Sequence, residues 1–173
     1  MAVDRIYMDS NCFIESVKSK IGTAEPARAN DLWHLQQLLT AATRGEVEVI
    51  TSYISIAECK HAGGPPTDEV KRLFRSILSS GKVVKLAQLT KGISERARDL
   101  QWEDGINLAG ADSIHVATAL NTGCKEFLSF DFGKSKSPVK FAPQLKPLGL
   151  IAIVPAGTSL LPPEYRQHRI PGS

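Results

Sequence analysis

Short apolar runs and longer amphipathic stretches alternate along the chain. Residues 6–8 have the pattern of a buried strand that ends at Asp9 and leads into a short helix over 11–18, with Gly22 as its punctuation. After Pro26, Leu32, Leu35, Leu38, Leu39 and Ala42 repeat at the helical period until Gly45. Residues 47–51 form a second β-branched run. The next helix, capped by Ser52 or Ser55, carries Glu58, and Ser55 with Glu58 has the spacing of a capping box. Residues 67–79 place Val70, Leu73, Phe74, Ile77 and Leu78 on one helical side, and 83–86 is a third strand. Thr90 caps a charged helix over 91–102, and Asn107 or Gly110 opens another through Leu120, closed by Gly123. Residues 126–130 form a fourth strand ending at Asp131. Pro143 and Pro147 interrupt the segment after it, and 151–154 form a fifth strand.

Strands that alternate with helices predict a sheet covered on both faces. The expected fold is therefore α/β, a three-layer α/β/α sandwich with a mainly parallel five-stranded sheet. Residues 1–155 form one domain in this reading, and Gly63-Gly64-Pro65-Pro66 is a surface loop within it. From 156 to 173, prolines and basic residues predict a tail ordered only by a partner or neighbour.

Composition narrows the class without deciding it. The chain has 173 residues and a formal net charge of +3, enough for one core and compatible with a polyanionic partner. No apolar run approaches the roughly 20 residues that span a bilayer, and the first residues lack a secretion-signal pattern. Three cysteines, widely spaced, argue against a disulfide framework and for a reducing, cytoplasmic setting. Cys12 and Cys59 with His61 fit no common zinc spacing, so buried thiols are the better account.

The chemistry lies in four acids. On an open α/β sheet, ligands collect outside the carboxyl ends of the strands. Asp9 and Asp131 sit where strands have just ended, and Asp112 opens a helix whose inward face it shares with His115, Val116 and Ala119. Glu58 is expected in the first or second turn of its helix, where, like Asp112, it meets the positive end of the dipole. Clustered carboxylates repel one another unless a cation intervenes, and hard divalent ions take oxygen ligands. Taken singly each acid is an ordinary turn or capping residue; their joint placement points to a metal site.

Asp9-Ser10-Asn11, Ser55-x-x-Glu58, the helix Asp112-Ser-Ile-His-Val-Ala-Thr-Ala-Leu and the strand end Phe127-Leu-Ser-Phe-Asp131 together resemble the PIN domain, and within it the VapC-type toxins of toxin–antitoxin pairs. The resemblance runs in order from about Ile6 to Val154. It implies a Mg2+- or Mn2+-dependent endoribonuclease that attacks RNA with metal-activated water. Asp9, Glu58, Asp112 and Asp131 become metal ligands or their organisers, and Ser10, Asn11 and Ser129 match positions that support them. It also implies an antitoxin protein that masks the site, and a homodimer. The chain departs from the pattern in its extra length around Gly63 to Pro66 and after Pro155, and in the segment after Asp131.

Other readings stay open at this level. A housekeeping PIN nuclease of RNA processing, a nuclease acting on DNA, or a non-catalytic domain that binds nucleic acid or a partner would have the same fold. A phosphoacceptor domain is disfavoured, because it lacks a paired acid beside the first strand. His115 reads as a structural core residue, and Ser10 has no base that would make it a nucleophile. Lys134 and Lys136 are candidate phosphate contacts; Lys140 comes after them without interleaved aromatics. The basic run Arg166-Gln-His-Arg169 reads as solubilising.

Overall fold

A computed structural model describes residues 2–79, 81–131 and 133–167. Its sheet has five strands, β1 (Arg5–Met8), β2 (Glu48–Ser52), β3 (Val84–Ala87), β4 (Glu126–Leu128) and β5 (Ile151–Ile153), in the order β3-β2-β1-β4-β5, with every neighbouring pair parallel. β1 is central. Its residues Ile6, Tyr7 and Met8 are all buried, as a parallel strand covered on both faces requires.

The period of two in a strand divides the core. Ile6 and Met8 point to the face covered by α1 (Ser10–Lys20), α2 (Ala29–Thr43) and α4 (Asp68–Leu78), among Phe13, Val17, Leu38 and Phe74. Tyr7 points the other way, to α5 (Lys91–Trp102) and α6 (Gly110–Asn121), among Leu100, Val116 and Phe127. Its ring stacks on Phe127 with centroids 5.2 Å apart. α1 leaves β1 over the first face, whereas α7 (Ala142–Leu145), after β4, buries Leu145 on the second. The strand order thus reverses between β1 and β4, and this parting of connections opens a crevice at their carboxyl ends.

The segment after Pro155 differs from the expected tail. Up to Gln167 it lies on the domain, with Leu161 and Tyr165 in the core cluster of α1 and α2. The buried Glu126 carboxylate of β4 accepts the Thr158 hydroxyl (2.5 Å) and both the backbone N–H (2.8 Å) and hydroxyl (2.6 Å) of Ser159. Asp31 on α2 accepts the Ala156 N–H at 2.8 Å. Prolines mark the segment as non-helical, but two large apolar residues and a waiting carboxylate give it a place to dock. His168 and Arg169 lie outside the described residues. The loop over 63–66 lies against the far end of α1, where Gly63 approaches Lys18. Among the described residues no helix is long and apolar enough to cross a membrane.

Leu161 separates a docked segment from a free tail. It is 1% exposed, so Leu161→Ala should lower the unfolding free energy by about 2–5 kcal/mol in urea denaturation. An unchanged midpoint would mean that the segment is not part of the core.

Candidate metal centre

Asp9, Glu58, Asp112 and Asp131 line one open cleft of about 730 Å³ at the carboxyl edge of the sheet. The fold therefore brings all four predicted acids together. β1 ends in Asp9, which caps α1 and is buried. Asp9 Oδ1 accepts the Ser10 N–H (2.7 Å) and Ser10 hydroxyl (3.3 Å); Oδ2 accepts Asn11 Nδ2 and the Ser129 hydroxyl, each at 3.0 Å. Asn11 also donates to Ser129 Oγ (2.8 Å) and accepts the Phe130 N–H (3.0 Å), while Ser129 Oγ accepts the Asp131 N–H (3.1 Å). All three predicted supporting residues thus bond within the site, and Asn11 and Ser129 tie the end of β1 to the end of β4. Burial raises the Asp9 carboxyl above the usual range despite these donors and His115.

Glu58 arrives differently from the expectation. α3 (Ile54–Glu58) has five residues, and Glu58 is its last, at the end where the dipole opposes a negative charge. The capping box does not form. Ser55 lies inside the turn with its hydroxyl 2.7 Å from Thr51 Oγ1, and the Ile54 N–H meets Ser52 Oγ at 3.4 Å. Thr51 in turn donates to the Met8 carbonyl (2.7 Å), so the buried end of β2 claims the hydroxyl that the capping box needs.

His115 supplies what the dipole does not. Its Nε2 is 2.6 Å from Glu58 Oε2 and 3.6 Å from Asp9 Oδ1. Its Nδ1 is 2.6 Å from the Tyr7 hydroxyl, which also accepts the Ser52 N–H at 2.9 Å. A carboxylate oxygen can only accept, so Nε2 carries a proton in the neutral as well as the cationic ring. One ligand atom each from Asp9, Glu58 and His115 lie within 4.8 Å of one another, but in this arrangement His115 is a donor to the acids and the oxygens are the free ligands. Burial pulls the imidazole down, yet the Glu58 hydrogen bond and the surrounding acids raise it overall. Burial likewise pushes Glu58 up, and the bond and charge of His115 more than offset that, leaving it lowered. Burial keeps Tyr7 a phenol.

Asp112, in the first turn of α6, is half-buried; burial and then the charge of Asp9 push its carboxyl up to about 6. Lys134 ion-pairs with Asp131 at 2.7 Å and lines the cleft, as does Lys60. Lys136 is exposed and does not line it. Cys12 and Cys59 are buried, free thiols directed at the Leu128 and Ser10 carbonyls, and burial raises both. They are not arranged as zinc ligands. The sequence alone underrates His115, although its place three residues after Asp112 puts both on one helical face, and it gives no sign of Lys60. An all-oxygen donor set, crowded enough to raise Asp112, fits a hard divalent cation.

The family profile described as PIN domain matches residues 6–136. No curated protein sequence matches the chain. Among solved structures, VapBC2 from Rickettsia felis, bound to a DNA fragment from its promoter, superimposes with a TM-score of 0.56 at 11% identity, covering 87% of this chain and 98% of that one. FitAB bound to an IR36 DNA fragment superimposes with a TM-score of 0.54 at 14% identity, covering 88% and 96%. At these identities the likeness is one of fold.

The raised Asp112 carboxyl sets a pH dependence. Between its ordinary 3.8 and about 6, the folded protein binds a proton that the unfolded chain has released, so stability falls as pH rises through that window. Metal-free Asp112→Asn should therefore melt above the wild type at neutral pH, and the gap should close in acid below that window. Thermal melts in EDTA read this directly, and equal melting temperatures at neutral pH would contradict it.

Proposed function

The chain belongs to the PIN domain family, and from that premise we propose that it is a divalent-metal-dependent endoribonuclease, the toxin of a toxin–antitoxin pair. The observation that carries the proposal is the convergence of Asp9, Glu58, Asp112 and Asp131 on one cleft. Asp9, Asp112, Asp131 and Glu58 would hold magnesium or manganese, which when bound polarises phosphate oxygens and lowers the pKa of its water. The chain's own residues prepare that site. Ser10, Asn11 and Ser129 hold the Asp9 carboxylate in one orientation, His115 steadies Glu58, and Lys134 restrains Asp131. Each interaction fixes an oxygen in advance, so binding a cation costs little reorganisation.

The partners in this reading are an RNA substrate, an antitoxin that covers the cleft, and a second copy of the chain in a homodimer. The likeness to VapBC2 and FitAB supports an antitoxin partner, and the family supports the nuclease chemistry.

The test is cleavage of a defined RNA pool with added magnesium or manganese, wild type beside Asp9→Asn. Cutting that requires the metal and falls to background in the variant is the expected result. Equal cutting by both proteins, or metal-independent cutting, would overturn the assignment of the site. No cutting by either, in a pool that includes structured and single-stranded RNA, would shift the reading to a binding domain.

A further inference from the structure

Without a bound cation, the acid cleft repels the substrate proposed for it. It presents four carboxylates, and of the two lysines on its wall Lys134 is committed to Asp131. Affinity for a polyanion must therefore come from ground beside the cleft.

Such ground lies across α3, which acts as a dividing wall. Ile54, Ala57 and Glu58 face the cleft. Ile56 and Cys59 face a groove of about 170 Å³ bounded by Lys71, Phe74 and Arg75 of α4, and Lys60 lines both hollows. Lys60 reaches this position because the chain reverses sharply after Glu58. Cys59 has φ −78° and ψ 66°, an inverse γ-turn, and the Lys60 N–H donates to the Glu58 carbonyl at 2.8 Å. Among the described residues neither Lys60 nor Arg75 has an acidic partner, and Lys71 pairs only with the fully exposed Asp68. At the head of the same wall, Tyr53 is 45% exposed, as is Ile56. Tyr53 immediately precedes α3 and Lys60 follows the turn that ends it, so an exposed aromatic and a cation stand at the two ends of the wall.

We propose that the α3/α4 groove is a track for a single RNA strand leading into the cleft, with Lys60, Lys71 and Arg75 on its phosphates and Tyr53 as a stacking face for a base. This rests on the ribonuclease reading and names how its substrate is held. Positive charge along a groove that also presents Ile56, Phe74 and Leu78 suits a backbone with unstacked bases.

The test is anisotropy titration of a short fluorescein-labelled single-stranded RNA in EDTA, with Asp9→Asn as the parent protein so that nothing is cut. Adding Lys60→Gln and Arg75→Gln should flatten the plot of log affinity against log salt by about 1.4, roughly 0.7 for each phosphate that is no longer neutralised. Lys85→Gln with Lys125→Gln, at the opposite edge of the sheet, should leave the slope unchanged. Tyr53→Ala should weaken binding between several-fold and about a hundredfold with no change in slope. An unchanged slope in the groove variant would overturn the proposal and leave the groove to a protein partner. Wild-type cleavage is scored separately. Cleavage with an unchanged slope sinks the track alone, whereas a flattened slope without cleavage sustains the track and sinks the nuclease.

Discussion

Four carboxylates held side by side at the edge of a buried sheet lose water and repel one another, and much of this fold serves to contain that cost. Each acid has a different remedy. Asp9, the most buried, is surrounded by donors from Ser10, Asn11 and Ser129. Glu58 is half-buried at the wrong end of a one-turn helix, and the imidazole of His115 compensates. Asp131, about as exposed as Glu58, has Lys134. Asp112 has the least support, which is why its carboxyl is the one pushed up to about 6. A residual imbalance of this kind is what a divalent cation would relieve, and the energy left in the repulsion would become affinity for the ion.

The containment reaches into the core. Tyr7 belongs to the central strand and stacks on Phe127, yet its hydroxyl carries the bond that orients His115. The ring that fills the second hydrophobic layer is thus also the outermost support of Glu58. Likewise Asn11 and Ser129 spend side-chain groups on closing the gap between β1 and β4, where the sheet would otherwise open at the reversal of strand order.

Much of this is legible in the residues. Short apolar runs and period-3.6 patterns locate the strands and main helices, because both faces of the sheet demand apolar side chains. Gly45 and Gly123, both with positive φ, close helices where expected. The four acids can be placed at one edge because strand ends and helix starts are readable from local sequence. Local sequence does not carry long-range competition for polar groups. Ser55 has capping-box spacing but gives its hydroxyl to Thr51, and the bond from His115 to Glu58 spans 57 positions. The prolines after Pro155 conceal Leu161 and Tyr165, whose burial depends on a surface made by α2. Lys60 escapes notice because nothing near it in sequence marks a turn that only the backbone angles of Cys59 disclose.

Mechanically, the cleft has fewer moving parts than it has acids. Asp9 and Asp131 are fastened to one another through Asn11 and Ser129, so they form a single jaw. Asp112 and His115 share one turn of α6, and His115 grips Glu58, so those two acids form the opposing jaw. The distance between the jaws is then one variable, set by how α6 seats against β1 at Tyr7. A shift of α6 there would change the spacing of the four carboxylates together, with the Tyr7–His115 contact in the hydrophobic core as the pivot.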